Sequence, residues 1–156
     1  MGVELPYLGG STPVIRVSSL LGKTDGIRHR DLIDMKTVNL LKELELVDEY
    51  WSPRVVGRVN DQFIKVAKLK GSLTWHKHDD EDELFYILKG RLVIEYEKDR
   101  VVLNEGDFHV VPKGAMHNPV AEDECWITLV ETVSTKHTGD VLIDKTRSIE
   151  EQLGES

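Results

Sequence analysis

The stretch "TWHKHDDEDELFYILKG", residues 74–90, sets two histidines one residue apart, follows them with a run of acids, and continues as a β-rich segment closed by lysine-glycine. Successive side chains of a strand point to opposite faces. Ser72, Thr74, His76 and His78 therefore share one face of "SLTWHKH", and Leu73, Trp75 and Lys77 take the other. The acids Asp79 to Asp82 turn the chain, and "ELFYILK" returns with Glu83, Phe85 and Ile87 on one face, which sets Glu83 opposite the histidines in a hairpin. Taken alone, this pattern fits either a solvated, charged edge or a strand-borne metal site.

Working outward, the chain from Pro53 onward is a series of short β-rich runs broken by turn residues. The runs are "RVVGRV", "QFIKVAKL", "SLTWHKH", "LFYILK", "RLVIEYE", "RVVLN", "DFHVVP", "HNPVA" and "CWITLVETV". Regular spacing of short strands with turn chemistry between them is the signature of an antiparallel sandwich or barrel, and no helix-length pattern interrupts it. A parallel α/β fold is thereby excluded. Before the strands, "KTVNLLKELELVDEYW" spaces Val38, Leu41 and Leu44 as a short amphipathic helix does, and "SIEE" from Ser148 is a capping box that opens a terminal one. Residues 1–34 show neither period and read as an arm, with one short strand at "PVIRVSSL".

A second stretch, "GDFHVVPKGAMHNPV", decides between the two readings of the first. It places Gly106, Pro112, Gly114 and His117 as a strand, a tight turn and a histidine that starts the next strand. The chain here closely resembles the cupin superfamily. The first cupin motif is matched by Gly71, His76, His78, Glu83 and Gly90, the second by Gly106, Pro112, Gly114 and His117, and fifteen residues lie between the two, as in small single-domain cupins. There are two departures: four residues rather than five separate Gly71 from His76, and Ala121 stands where the family usually has asparagine. Neither position ligates metal.

The resemblance implies an all-β double-stranded β-helix, the cupin jelly-roll barrel, with short flanking helices. It divides the chain into an arm at 1–34, a barrel at 35–135, and a loop with a short helix at 136–156. It also implies a divalent metal ion on His76, His78, Glu83 and His117. Three imidazoles and one carboxylate suit iron, manganese, zinc, nickel or copper, and four protein ligands on an octahedral ion leave two positions open. With neutral histidines the loaded site carries about one positive charge, which favours an anionic or chelating ligand.

The implied function is a small metal-dependent enzyme of dioxygenase, isomerase or decarboxylase type acting on a small chelating acid, enol or sugar; the alternative is a non-catalytic metal and small-molecule binding module. A looser likeness to the metal-binding half of mannose-6-phosphate isomerase finds no basic cluster for a sugar phosphate. No catalytic residue beyond the ligands is assigned.

Among the remaining candidates, His109 could line the pocket or sit half-buried between sheets, while His29 and His137 are expected to face solvent. Trp75, Trp126, Tyr86 and Phe108 are expected in the core or a dimer interface. Phe85 and Ile87, on the face of Glu83, should make one pocket wall apolar. Asp79 to Asp82 read as a solvated turn rather than an extra cation site.

The net charge of -8 disfavours nucleic acid and anionic membrane surfaces as partners, and no apolar run is long enough to span a bilayer. The one cysteine, Cys125, sits in a strand-like "ECWITLV" with no histidine patterned as a catalytic partner, and the expected setting is the cytoplasm. Sheet edges that need covering point to a homodimer.

Overall fold

The structure is a computed structural model that describes residues 37–154. The arm, its expected strand and His29 lie outside the described residues. Among those described, seven strands form the body: β1 (Arg54–Val59), β2 (Gln62–Ser72), β3 (Glu83–Lys89), β4 (Arg91–Tyr96), β5 (Arg100–Asn104), β6 (Phe108–Val111) and β7 (His117–Thr132). Two short helices flank them, α1 (Leu40–Glu45) and α2 (Ile149–Leu153).

All strand pairings are antiparallel, in the order β1-β2-β7-β3-β6, with β4 bonded to both β5 and β7. The sixteen-residue β7 makes this a jelly-roll rather than a flat sheet. Its second half, Cys125–Thr132, runs between β2 and β3, while its first residues, His117–Val120, pair with β4. One strand thus serves both halves of the barrel. The inner faces of β2 to β7 enclose a core that includes Ala67, Leu69, Phe85, Ile87, Leu92, Ile94, Leu103, Val111 and Ile127.

Two of the expected runs merge and one does not form. "HNPVA" and "CWITLVETV" are a single strand because the exposed Glu122–Glu124 between them stay in extended backbone. "SLTWHKH" is no strand beyond Ser72: residues 73–82 are irregular, and their one β-bridge to the barrel joins His76 to His117. Glu83 consequently does not face the histidines across a hairpin; its strand neighbours are Val111 and Glu131. The acidic run is a long connection and not a tight turn.

The first helix is shorter than its periodicity suggests. Asn39 caps it by accepting from the Lys42 N–H at 3.1 Å, and it ends at Leu46, after which the chain turns through Trp51 at φ 60. Its buried face is Leu40, Leu44 and Val47 against Val66 of β2, whereas the expected Val38 and Leu41 are exposed. The terminal capping box forms as expected, with Ser148 Oγ accepting from Glu151 N–H and the Glu151 carboxylate accepting from Ser148 N–H. Between β3 and β4, Gly90 turns at φ 86 where a Cβ would stand 2.6 Å from the Glu124 carbonyl oxygen, so the turn packs against β7 only without a side chain.

Candidate metal centre

His76 and His78 come from the irregular 73–82 segment, Glu83 is the first residue of β3, and His117 is the first residue of β7. Three backbone hydrogen bonds lock these pieces together. His76 N–H donates to His117 O at 3.0 Å, His117 N–H returns the bond at 2.9 Å, and Gly114 N–H donates to His78 O at 2.6 Å. The segment loses strand pairing elsewhere yet keeps it at His76.

The four side chains are buried, none more than 5% exposed, and each offers a donor atom within 4.8 Å of the others. Donors on one ion at about 2.1 Å lie no more than about 4.2 Å apart, so a set spread over as much as 4.8 Å would close by about 0.6 Å at its widest. Tautomers are fixed as well. The Nδ1–H of His76 donates to Thr74 O and that of His117 to Ala115 O, each at 3.0 Å, and a carbonyl can only accept. Both Nε2 lone pairs are therefore free to bind a cation.

Those nitrogens are also short of partners. His78 Nε2, His117 Nε2 and Glu83 Oε2 are buried without a hydrogen bond among the described residues; each nitrogen lies 3.4 Å from the carboxylate oxygen, long for a charge-assisted contact. Orphaned buried polar atoms cost roughly 1–3 kcal/mol each, and three converging on one point fit a cation there. Burial, reinforced by His117, pushes His76 down to about 4, which keeps its imidazole neutral as a ligand must be. Burial would raise Glu83, but the His117 and His78 rings 3.4 Å from its oxygen outweigh it and hold the carboxyl well below the usual range. For His78 burial acts downward, and the Glu83 carboxylate more than cancels it.

Beside these four residues is a small cavity of about 20 Å³, walled by apolar side chains such as Leu73, Phe85 and Pro119 together with His76, Glu83 and His137. Phe85 holds its ring 6.5 Å from that of His117 and lines the cavity as expected, whereas Ile87 is packed in the core and does not line it. Under the site a second charged group runs inward: Lys65, fully buried, is ion-paired with the buried Glu131, which is the strand neighbour of Glu83. Burial and the Glu83 carboxylate push Glu131 up against the pull of Lys65. This pair was not among the sequence candidates, although Lys65 lies in phase with the inward Phe63, Ala67 and Leu69, and that phase is the signal.

His109 is half-buried and hydrogen-bonded to Tyr96, with the hydroxyl 2.7 Å from Nε2. Burial lowers the imidazole, helped by His117, and raises the phenol, helped by Glu83, so both stay neutral and Tyr96 O–H is the donor. His137 departs from expectation. It is turned in against the ligands, because the segment after β7 folds back across residues 73–82, and burial pushes its ring down to about 4. Of the aromatic residues, Trp75, Tyr86 and Phe108 are exposed at 43%, 36% and 64% and so are not core. The acidic run is engaged structurally: Asp79 pairs with Lys77, Glu81 accepts from Ser134 O–H, and Asp82 accepts from Lys113 N–H. Cys125 is fully buried in β7, its thiol pushed up to about 12 by burial, which leaves it inert.

Residues 63–130 match the Cupin domain family model. An uncharacterized protein of Bacillus subtilis, YdbB, is 37% identical over 83 residues, covering 53% of this chain and 74% of that protein. A crystal structure of a cupin-2 domain containing protein from Shewanella frigidimarina superposes with a TM-score of 0.60 at 37% identity, covering 61% of this chain and 93% of that one. The chain is a cupin. The pectin degradation protein KdgF of Dickeya dadantii is a more partial relative, 34% identical over 68 residues, which span 43% of this cupin and 61% of that protein. No helix among the described residues is long and apolar enough to cross a membrane.

Proposed function

We propose that this cupin binds one divalent metal ion on His76, His78, Glu83 and His117 and acts as a metal-dependent enzyme on a small chelating acid. The single observation that carries this reading is the convergence of orphaned, buried donor atoms from His78, Glu83 and His117 beside a neutral His76. The donor set is borderline nitrogen plus one hard oxygen, which suits iron, manganese, nickel, copper or zinc. A bound ion would supply Lewis acidity toward a substrate oxygen, with two coordination positions left for it. The protein's own contribution is an apolar, water-poor pocket at Phe85 and a neutral phenol at Tyr96 that donates to His109 and so has a proton to exchange near the substrate. Tyr96 and His109 come this close to the ligands because they are strand neighbours of His117 and Phe85.

The partial likeness to a pectin degradation protein favours a sugar acid within the class of small chelating acids. One observation favours the alternative, a binding module without catalysis: the small cavity of about 20 Å³ holds little beyond an ion and one oxygen atom. The experiment is to measure bound metal by elemental analysis, then follow uronic acids, hydroxy acids and diketones by proton NMR and oxygen uptake with the metal-loaded protein. Turnover that disappears in His78→Ala supports the enzyme; metal uptake with no turnover across the panel supports the module; protein that takes up no metal ends both.

We infer a homodimer as well. Edge strand β6 presents Phe108 and Val110, in register with Leu84 and Tyr86 of β3, as an exposed apolar strip. Light scattering after size exclusion should read twice the chain mass, falling to a single chain in Phe108→Lys; a monomeric wild type refutes it.

A further inference from the structure

Residues 133–148 lie across the segment that carries two of the ligands, and they are fixed at several points. Ser134 Oγ–H donates to Glu81 at 3.0 Å, Lys145 Nζ donates to Ser72 O at 2.6 Å, and Arg147 pairs with Glu49 at 2.5 Å. Gly139, at φ 56, abuts the Lys77 carbonyl, where any Cβ would overlap the oxygen. Thr138 is fully buried, its hydroxyl hydrogen-bonding Val141 O and Thr146 Oγ1. The strap therefore has one defined conformation, and the side chain it sends to the cavity is His137.

The chemistry of that side chain is settled by its outer contact. His137 Nδ1 accepts from the Arg147 backbone N–H at 3.1 Å, so in the neutral ring the proton is on Nε2. Nε2 makes no hydrogen bond of its own among the described residues. Around the cavity, the metal ligands His76 and Glu83 are polar, and Trp51 has already committed its indole N–H to Lys70 O at 2.7 Å. The rest of the wall is apolar apart from His137. His137 thus lines that wall, and a second groove under the strap, with an Nε2–H unbonded among the described residues, and about 20 Å³ beside the ligands is room for one water-sized group. The residue also stands outside the 63–130 stretch that the family shares.

We propose that His137 is a positioning residue for the centre: its Nε2–H donates a hydrogen bond to the anionic atom of a small ligand that occupies an open position of the metal. This rests on the metal-binding reading above. The loaded site's positive charge draws the anion, and His137 then selects a group able to accept a hydrogen bond in an otherwise apolar pocket.

The test uses the full chain loaded with Co²⁺ and two variants of similar volume, His137→Phe, which removes the donor, and His137→Gln, which keeps one. Azide is titrated against the Co²⁺ visible spectrum, acetate by competition, and Co²⁺ affinity by competition with a chelating dye, with melting temperatures recorded as a check on folding. Expected is azide and acetate binding about tenfold weaker in His137→Phe, restored to within about threefold in His137→Gln, with Co²⁺ affinity little changed in both; a hydrogen bond to a charged partner is of that size. Unchanged anion affinity in His137→Phe overturns the proposal while leaving the metal site standing. So does a Co²⁺ affinity that collapses about a hundredfold in His137→Phe, which would make the residue a ligand. A wild type that takes up no Co²⁺ overturns both readings together.

Discussion

Replacing His78 by alanine separates a metal centre from a buried polar cluster by a quantity that can be worked out beforehand. An ion that binds only the folded protein stabilises it by RT ln(1 + [M]/Kd), about 2.7 kcal/mol at a hundredfold excess over Kd. Unfolding entropy is about 2.1 cal/mol/K per residue, so for the roughly 120 described residues the ion should raise the melting temperature by about 11 °C. Changing a group that merely orients a ligand costs about 10- to 100-fold in metal affinity, so removing a ligand outright costs at least the upper figure. At the same metal concentration the ratio then drops to about one or less, the stabilisation to at most about 0.4 kcal/mol, and the shift to under about 2 °C. His78 is the best of the four for this purpose. It lies on the irregular segment and its ring makes no hydrogen bond to the backbone, unlike His76 and His117, so its loss perturbs the fold least. The assay is calorimetry or dye-monitored melting of wild type, His78→Ala and Asp80→Asn, each with and without Co²⁺ or Ni²⁺. Asp80, exposed on the acidic run, should keep the full shift. A His78→Ala protein that folds and still gains the wild-type increment would refute the four-ligand centre, and a shift lost in Asp80→Asn would move the site to the acidic loop.

Other outcomes follow from the buried charges and the strap. His137 is pushed down to about 4 from an unfolded value of about 6.5, so folding favours the neutral ring; its contribution is whole above pH 6.5 and is lost as the pH falls toward 4, at most about 3 kcal/mol. Metal-free His137→Gln should accordingly lose less stability than wild type between pH 6.5 and 4 in denaturant titrations. Lys65→Met strands Glu131 in the core and should cost about 3–5 kcal/mol at pH 8, less at pH 5 where Glu131 can take up a proton, whereas Lys65→Met with Glu131→Leu should come close to wild type. Gly139→Ala, which pushes a Cβ against Lys77 O from a left-handed backbone, should cost about 1–3 kcal/mol and open residues 133–148 to limited proteolysis before the barrel melts.

The barrel was legible because its determinants are local. Alternation, turn glycines and the capping box at Ser148 each speak for a few residues at a time, and strands β1 and β3 to β6 fall where those signals put them. The 73–82 segment was misread for the same reason. Its alternation of polar and apolar residues is a strand's, but strand structure needs a partner, and the partner of His76 is a single residue of β7 some forty positions on. β2 instead continues to Ser72 through the bulge near Gly71, spending its pairing capacity on β7 before the histidines arrive. Sequence alternation reports which way side chains would point; it does not report whether a neighbouring edge is available.

The convergence of the four residues was readable despite that error, and the reason is physical. What places His76, His78, Glu83 and His117 is the bond pair between His76 and His117 together with the starts of β3 and β7, and the motif spacing encodes those joints whether or not the segment between them is regular. His137 and the Lys65–Glu131 pair carry no such spacing. "STKHTGD" looks like a polar surface loop, and only the return of the chain over Lys77 and Ser72 turns His137 inward. Lys65 looks like one more strand lysine until β7 supplies Glu131 from nearly the far end of the barrel. Both are consequences of long-range closure, and both sit next to the cluster of donor atoms. The residues that set this cupin's pocket apart are therefore expected on the strap after Thr132, outside the 63–130 stretch that matches the family model, and exchanging that strap for another cupin's should change the anion preference of the metal-loaded protein while leaving metal affinity within a few-fold.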